Sequence, residues 1–123
     1  MDNIWGKELH DQVVASGATL VVRPDSGDPV MTPIRVIHEL MQAFGHTVNS
    51  KGYYVLPSYI RVLQGDGINE DTVKDILHFA KDGRLSAENF VFGMGGGLLQ
   101  KCDRDTQKFA MKCSAIRVNG EWR

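Results

Sequence analysis

A chain of 123 residues, 42% hydrophobic and 24% charged, is expected to form one soluble domain at most. Its formal net charge is −1 and its lysines and arginines are scattered, so no global field would gather nucleic acid or an anionic membrane. No apolar run approaches the roughly 18 residues of a membrane span. Met1-Asp2-Asn3-Ile4-Trp5 has no basic-then-apolar leader, which makes the cytosol the expected compartment.

Taken in chain order, residues 3–15 space Ile4, Trp5, Leu9, Val13 and Val14 as a helix does, and Gly17 would end it. Residues 18–23 are β-rich and apolar without alternation, as in a strand buried on both faces of a covered parallel sheet. Asp28-Pro29 opens a second helix, because Asp28 can cap and Pro29 suits a first turn. Ile34, Ile37, Leu40, Met41 and Phe44 give its apolar face, and Gly45 closes it. Residues 46–58 have no clear period; Asn49-Ser50-Lys51-Gly52 is turn-like and Pro57 stops any helix. Residues 59–64 form a second strand. Asn69 or Asp71 then caps a third helix, with Val73, Ile76, Leu77 and Ala80 inward and Gly83 after it. Residues 89–93 form a third strand, and Gly95–Gly97 open a short helix through Leu98, Leu99 and Gln100. Residues 108–118 alternate enough for a last strand, and Asn119-Gly120 is a turn signal with only three residues after it.

The order α-β-α-β-α-β-α-β implies right-handed crossovers and mostly parallel strands. About four strands make half of an eight-stranded barrel or a small open sheet, whereas a whole barrel needs about 200 residues or more. The expected fold is therefore α/β, a partial irregular barrel. Residues 1–123 would form a single segment of it, truncated at both ends.

One phrase recurs three times: an apolar strand ending in glycine and charge. Val21-Val22 runs into Arg23-Pro24-Asp25-Ser26-Gly27, Val62-Leu63 into Gln64-Gly65-Asp66-Gly67, and Val91-Phe92 into Gly93-Met94-Gly95-Gly96-Gly97. Loops after parallel strands collect at one end of the sheet, where such folds keep their chemistry. Carboxylates at Asp25 and Asp66 can accept from ribose hydroxyls, and glycine backbone N–H groups at a helix start can hold a phosphate. A fixed carboxylate also suits the positive charge that builds at an anomeric carbon during glycosyl transfer. Singly, Pro24-Asp25-Ser26-Gly27 and Gly65-Asp66-Gly67 are also good tight turns, and Arg104 and Lys112 are ordinary surface cations on spacing alone.

Cys102 and Cys113 match no zinc or redox spacing and read as reduced, partly buried thiols. His10, His38, His46 and His78 lie far apart in sequence. His38 and His78 fall on amphipathic helices and suit a helix face better than a metal.

Longer phrases carry a resemblance. Val22 through Gly27, Asn49-Ser50-Lys51-Gly52-Tyr53, Arg61 through Gly67 and Phe92 through Lys101 resemble the nicotinamide phosphoribosyltransferase family, in order and spacing. Arg104-Asp105 and Lys112-Cys113-Ser114 continue in the same register, and Asn3-Ile4-Trp5-Gly6 looks like the segment just before. The resemblance implies a dimeric irregular α/β barrel of NAD salvage. Its reaction joins nicotinamide to phosphoribosyl pyrophosphate with Mg2+, giving nicotinamide mononucleotide and pyrophosphate. It implies that Arg23 contacts the carboxamide and that Asp25 and Asp66 engage the ribose. Asp25 would also sit near the base as the catalytic carboxylate, with Gly65 beside the ribose contact. Gly95 and Gly96 would bind the 5′-phosphate through backbone N–H groups. Arg104 and Lys112 would reach phosphate or pyrophosphate, in the family from the neighbouring subunit.

Departures from the family pattern accompany the match. Family members are several times longer, and their phosphorylated catalytic histidine and nicotinamide-sandwiching aromatic pair have no counterpart here. Met94 replaces a usual serine, and Ala110 stands where a serine contacts phosphate. The expected role is thus half of a phosphoribosyltransferase site, working as a homo-oligomer or with a complementary upstream segment. The other readings are a non-catalytic ribose-phosphate-binding module and a functionless truncated remnant.

Overall fold

The computed structural model describes residues 4–95, 107–108 and 112–123. A π-helical turn, Ile4–Glu8, leads into α1, His10–Ala15, where one uninterrupted helix was expected. The π turn closes with the Leu9 N–H donating to the Ile4 carbonyl at 2.8 Å. Gly6 explains the close docking of this segment, because a Cβ there would lie 2.7 Å from the Ala43 Cβ. Gly17, at φ 65°, ends the segment as expected.

Strand β1, Leu20–Val22, is followed by α2, Met31–Phe44. Asp28 starts the helical turn: its Oδ1 accepts from the Val30 and Met31 N–H groups at 2.9 and 2.7 Å. At the other end Gly45, φ 77°, donates its N–H to the Met41 carbonyl. The residues without clear period form a short antiparallel hairpin, β2 (Thr47–Val48) with β3 (Tyr54–Val55). Strand β4, Ile60–Gln64, leads to α3, Glu70–Asp82, and a 3-10 turn, Ala87–Asn89, leads to β5, Phe90–Phe92. Asn69, not Asp71, is the cap of α3. Its side chain accepts from the Asp71 and Thr72 N–H groups while Thr72 Oγ1 accepts from the Asn69 N–H, a reciprocal capping box.

The sheet order is β1-β4-β5, all parallel, with Leu20 opposite Ile60, Val22 opposite Val62, Val62 opposite Phe90 and Gln64 opposite Phe92. The α/β class and parallel pairing expected from the sequence are thus present. Alternate residues divide the sheet into two faces. Ile60 and Val62 are fully buried and cluster with Ile34, Ile37 and Leu40 of α2 and with Ile76 and Ala80 of α3. The opposite face carries Val21, 46% exposed, and Val91, 42% exposed. A strand covered on both faces at 18–23 is therefore corrected: among the described residues the helices cover one face only.

The strand expected over 108–118 also differs. Residues 112–116 have no regular structure. Arg117–Val118 (β6) pairs antiparallel with Glu121–Trp122 (β7), so the chain does return after the turn. Asn119 and Gly120 both have positive φ, 52° and 89°, the geometry of a two-residue hairpin turn. Local turn chemistry overrode the weaker alternation upstream of it. Residues 109–111 of that expected strand, together with Gly96, Gly97 and the short helix expected after them, lie outside the described residues. Cys113 is exposed rather than partly buried, since among the described residues no helix or sheet covers 112–116; Cys102 lies outside the described residues. Among the described residues no helix is long and apolar enough to cross a membrane.

Candidate functional site

Parallel pairing places the C-terminal ends of β1, β4 and β5 along one edge, and the residues that follow them meet there. The Arg23 side chain lies across Gly65: a Cβ on Gly65 would sit 3.2 Å from Arg23 Nη2 and 3.4 Å from Nε. Gly93 approaches from the third strand, its Cβ position 3.6 Å from the Gly65 Cα. The Gly93 N–H donates to the Gln64 carbonyl at 2.9 Å. Glycine at 65 therefore serves a close approach rather than an unusual backbone angle.

The first and second loops also touch. Gly67, at φ 64°, places its Cβ position 2.9 Å from Pro29 Cβ, and at Gly27, φ 110°, a Cβ would meet Thr32 Oγ1 at 2.6 Å. Both positions combine left-handed backbone with no room for a side chain, so the loop shapes are built into the chain.

Two residues to which the sequence assigned no site role hold the second loop. Gln64 is 3% exposed, and its Nε2 donates to the Asp66 carbonyl at 2.9 Å. Its Oε1 is buried and has no hydrogen-bond partner among the described residues. Thr72 Oγ1 donates to the Gly67 carbonyl at 2.9 Å, tying the loop to the start of α3. A glutamine ending an apolar strand was the available signal at Gln64; Thr72 looked like an ordinary early helix residue.

Asp25 and Asp66 are exposed on adjacent loops, and Arg23 is exposed beside them. Among the described residues none of these three side chains has a hydrogen bond or ion pair, so their charged groups are available to a ligand. Gly95 is exposed, with nothing within 4 Å of its Cβ position. The edge thus presents one guanidinium, two carboxylates and open backbone. A ribose takes acceptors, and a phosphate takes cations and N–H donors.

The remaining expected residues stand apart from this cluster. Lys112 is exposed in the tail, and no described contact ties it to Arg23, Asp25 or Asp66. Gly96 and Arg104 lie outside the described residues. Of the histidines, His10 stacks on Phe44 with centroids 5.4 Å apart, His46 meets Tyr54 edge-on, and His78 pairs with Asp82 at 3.5 Å. Among the described residues no group of three or more His, Cys, Asp and Glu could hold a metal ion.

The sequence model of the nicotinate phosphoribosyltransferase (NAPRTase) family matches residues 1–123. The nicotinamide phosphoribosyltransferase of Xanthomonas campestris pv. campestris (strain 8004) is 56% identical over 118 residues, which are 96% of this chain and 25% of that protein. Those of Mycoplasma genitalium and Mycoplasma pneumoniae are 34% and 35% identical over 134 and 135 residues, 99% of this chain and 30% of each. The chain spans between a quarter and a third of the length of these curated relatives. A match along the whole chain, with three glycine-and-charge loops meeting at one sheet edge, shows that this chain belongs to the nicotinate phosphoribosyltransferase family.

Proposed function

We propose that this chain supplies the ribose-facing side of a nicotinamide phosphoribosyltransferase site and acts together with the rest of a longer enzyme. The observation that carries this reading is Arg23 lying across Gly65, between two strand-end loops that each expose a carboxylate. The relatives' shared name, nicotinamide phosphoribosyltransferase, supports nicotinamide as the base.

In the proposed reaction the pyridine nitrogen of nicotinamide forms a bond to the anomeric carbon of phosphoribosyl pyrophosphate. The carbon–oxygen bond to pyrophosphate breaks, leaving nicotinamide mononucleotide and pyrophosphate. Arg23 donates to the carboxamide oxygen and orients the ring. Asp25, on the same loop, stabilises the positive charge that grows on the ribose as the bond to pyrophosphate lengthens. Asp66 accepts from the ribose hydroxyls, with Gln64 holding the loop that carries it. The backbone at Gly95 and Gly96 takes the 5′-phosphate, and Arg104 and Lys112 reach phosphate or pyrophosphate from a neighbouring copy. Mg2+ would enter with phosphoribosyl pyrophosphate, held by the substrate's phosphates, since Asp25 and Asp66 are engaged with the ribose. When bound, Mg2+ would neutralise charge on the leaving pyrophosphate. The reading further includes a cytosolic homo-oligomer, since phosphoribosyl pyrophosphate is a polar anion and part of the cation set would come from a second subunit.

The test pairs this chain with a segment carrying the remainder of the family sequence and measures nicotinamide mononucleotide formation. Activity is expected only from the mixture. Asp66→Ala should weaken nicotinamide mononucleotide binding about ten- to a hundredfold, the loss of charge-assisted hydrogen bonds. Gly65→Val should displace Arg23 and raise the KM for nicotinamide. A stable complex that makes no product, or binding indifferent to both substitutions, would sink the reading.

A further inference from the structure

A second concave surface lies at the other end of the sheet, where strands begin. The tip of the β2–β3 hairpin, the last turn of α3 and residues 84–88 build it. Two adjoining hollows, of about 630 and 570 Å3, share Lys51, Tyr53 and Lys81 in their walls. Leu77 gives the larger one an exposed apolar wall over the buried Ala80 and Leu85, and Arg84 and Asp82 border the smaller. Each hollow has the volume of a small-molecule site, and both are open to solvent on one side.

The walls are fixed by backbone bonds. Asn49 Oδ1 accepts from the Lys51 and Tyr53 N–H groups, both at 3.0 Å. The Tyr54 N–H donates to the Arg84 carbonyl at 2.7 Å, and the Ser86 N–H donates to the Tyr54 carbonyl at 2.9 Å. Lys51, Lys81 and Arg84 therefore stand on an ordered frame. Among the described residues none of their side chains has an ion pair or hydrogen bond. The acidic groups nearby have other partners: Asp82 pairs with His78 at 3.5 Å, and Glu88 accepts from Ser86 Oγ at 3.0 Å.

Helix capping does not account for the cations. The last carbonyls of α3 already accept from backbone: Phe79 from Gly83, Ala80 from Leu85 and Lys81 from Arg84, at 3.0, 2.7 and 3.0 Å. Arg84 also adopts φ 54°, a conformation that glycine would take without strain. An arginine stands there at a backbone cost, beside Lys51 and Lys81 and the exposed Leu77.

We infer that this groove binds a nucleoside phosphate, its base against Tyr53 and Leu77 and its phosphates among Lys51, Lys81 and Arg84. The site is separate from the strand-end loops, so it would act as an effector site rather than as part of the ribose site. ADP is the probe, with adenosine and pyrophosphate as its two halves, titrated into isotopically labelled 123-residue chain. ADP should shift the amides of Tyr53, Leu77 and Arg84 and bind at least tenfold more tightly than either half. Lys51→Glu with Lys81→Glu should weaken ADP at least tenfold, and Arg84→Gly, which also relieves the left-handed backbone, should weaken it without loss of fold. Asp66→Ala should leave these shifts unchanged, which separates this site from the proposed ribose site. Pyrophosphate binding as tightly as ADP, shifts confined to Gly65–Gly67 and Gly95, or no response to Arg84→Gly would overturn the assignment.

Discussion

The parallel sheet and the terminal hairpin are built from similar residues and are held in opposite ways. Ile60 and Val62 of β4 are fully buried under α2 and α3. In the β6–β7 hairpin and just before it, Ile116, Val118 and Trp122 are 55%, 38% and 72% exposed. The hairpin has a good turn, two backbone bonds joining Ile116 and Arg123, and Arg117 5.9 Å over the Trp122 ring. A short isolated hairpin is marginal in water, whereas apolar burial gives the sheet its stability. Turn chemistry can therefore set a register that it does not by itself make stable.

That contrast orders the expected effects of substitution. Ile37→Ala removes a fully buried side chain between sheet and helices, and should cost about 2–5 kcal/mol in chemical denaturation. A loss below about 1 kcal/mol would show that the sheet is held no better than the hairpin. Asn89→Ala comes next. The Leu56 N–H donates to its Oδ1 at 2.8 Å and its Nδ2 donates to the Tyr54 carbonyl at 3.0 Å, which joins β3 to the entry of β5. Removing both bonds from a buried site should cost about 1–3 kcal/mol and speed amide exchange at Leu56. Asn69→Ala breaks the capping box of α3 and should cost about 1 kcal/mol, seen as a lower thermal midpoint. Trp122→Ala should change stability by no more than about 0.5 kcal/mol. A larger loss would mean that the hairpin is bound to the rest of the molecule more firmly than its exposure indicates.

Much of the site was legible because its signals are short-range. Glycine at 27 and 67 meets a left-handed backbone requirement, and Asp28 and Asn69 meet unpaired N–H groups at helix starts; each need is settled within a few residues. The β2–β3 hairpin was not legible. Its two-residue strands are too short to show a period, and β3 is held by Arg84, Ser86 and Asn89, about thirty residues further along. Gln64 was read as part of a loop phrase, and only burial revealed that it braces the Asp66 carbonyl.

By itself the sequence determined the α/β class, the position of three strand-end loops and the family to which they belong, because strand period, caps and turns are local properties. The tertiary structure alone decided that Arg23 lies across Gly65, that the helices cover one face of the sheet, and that Lys51, Lys81 and Arg84 border one groove. Those outcomes depend on which distant backbones pair and which faces are buried together. No window of a few residues contains that information.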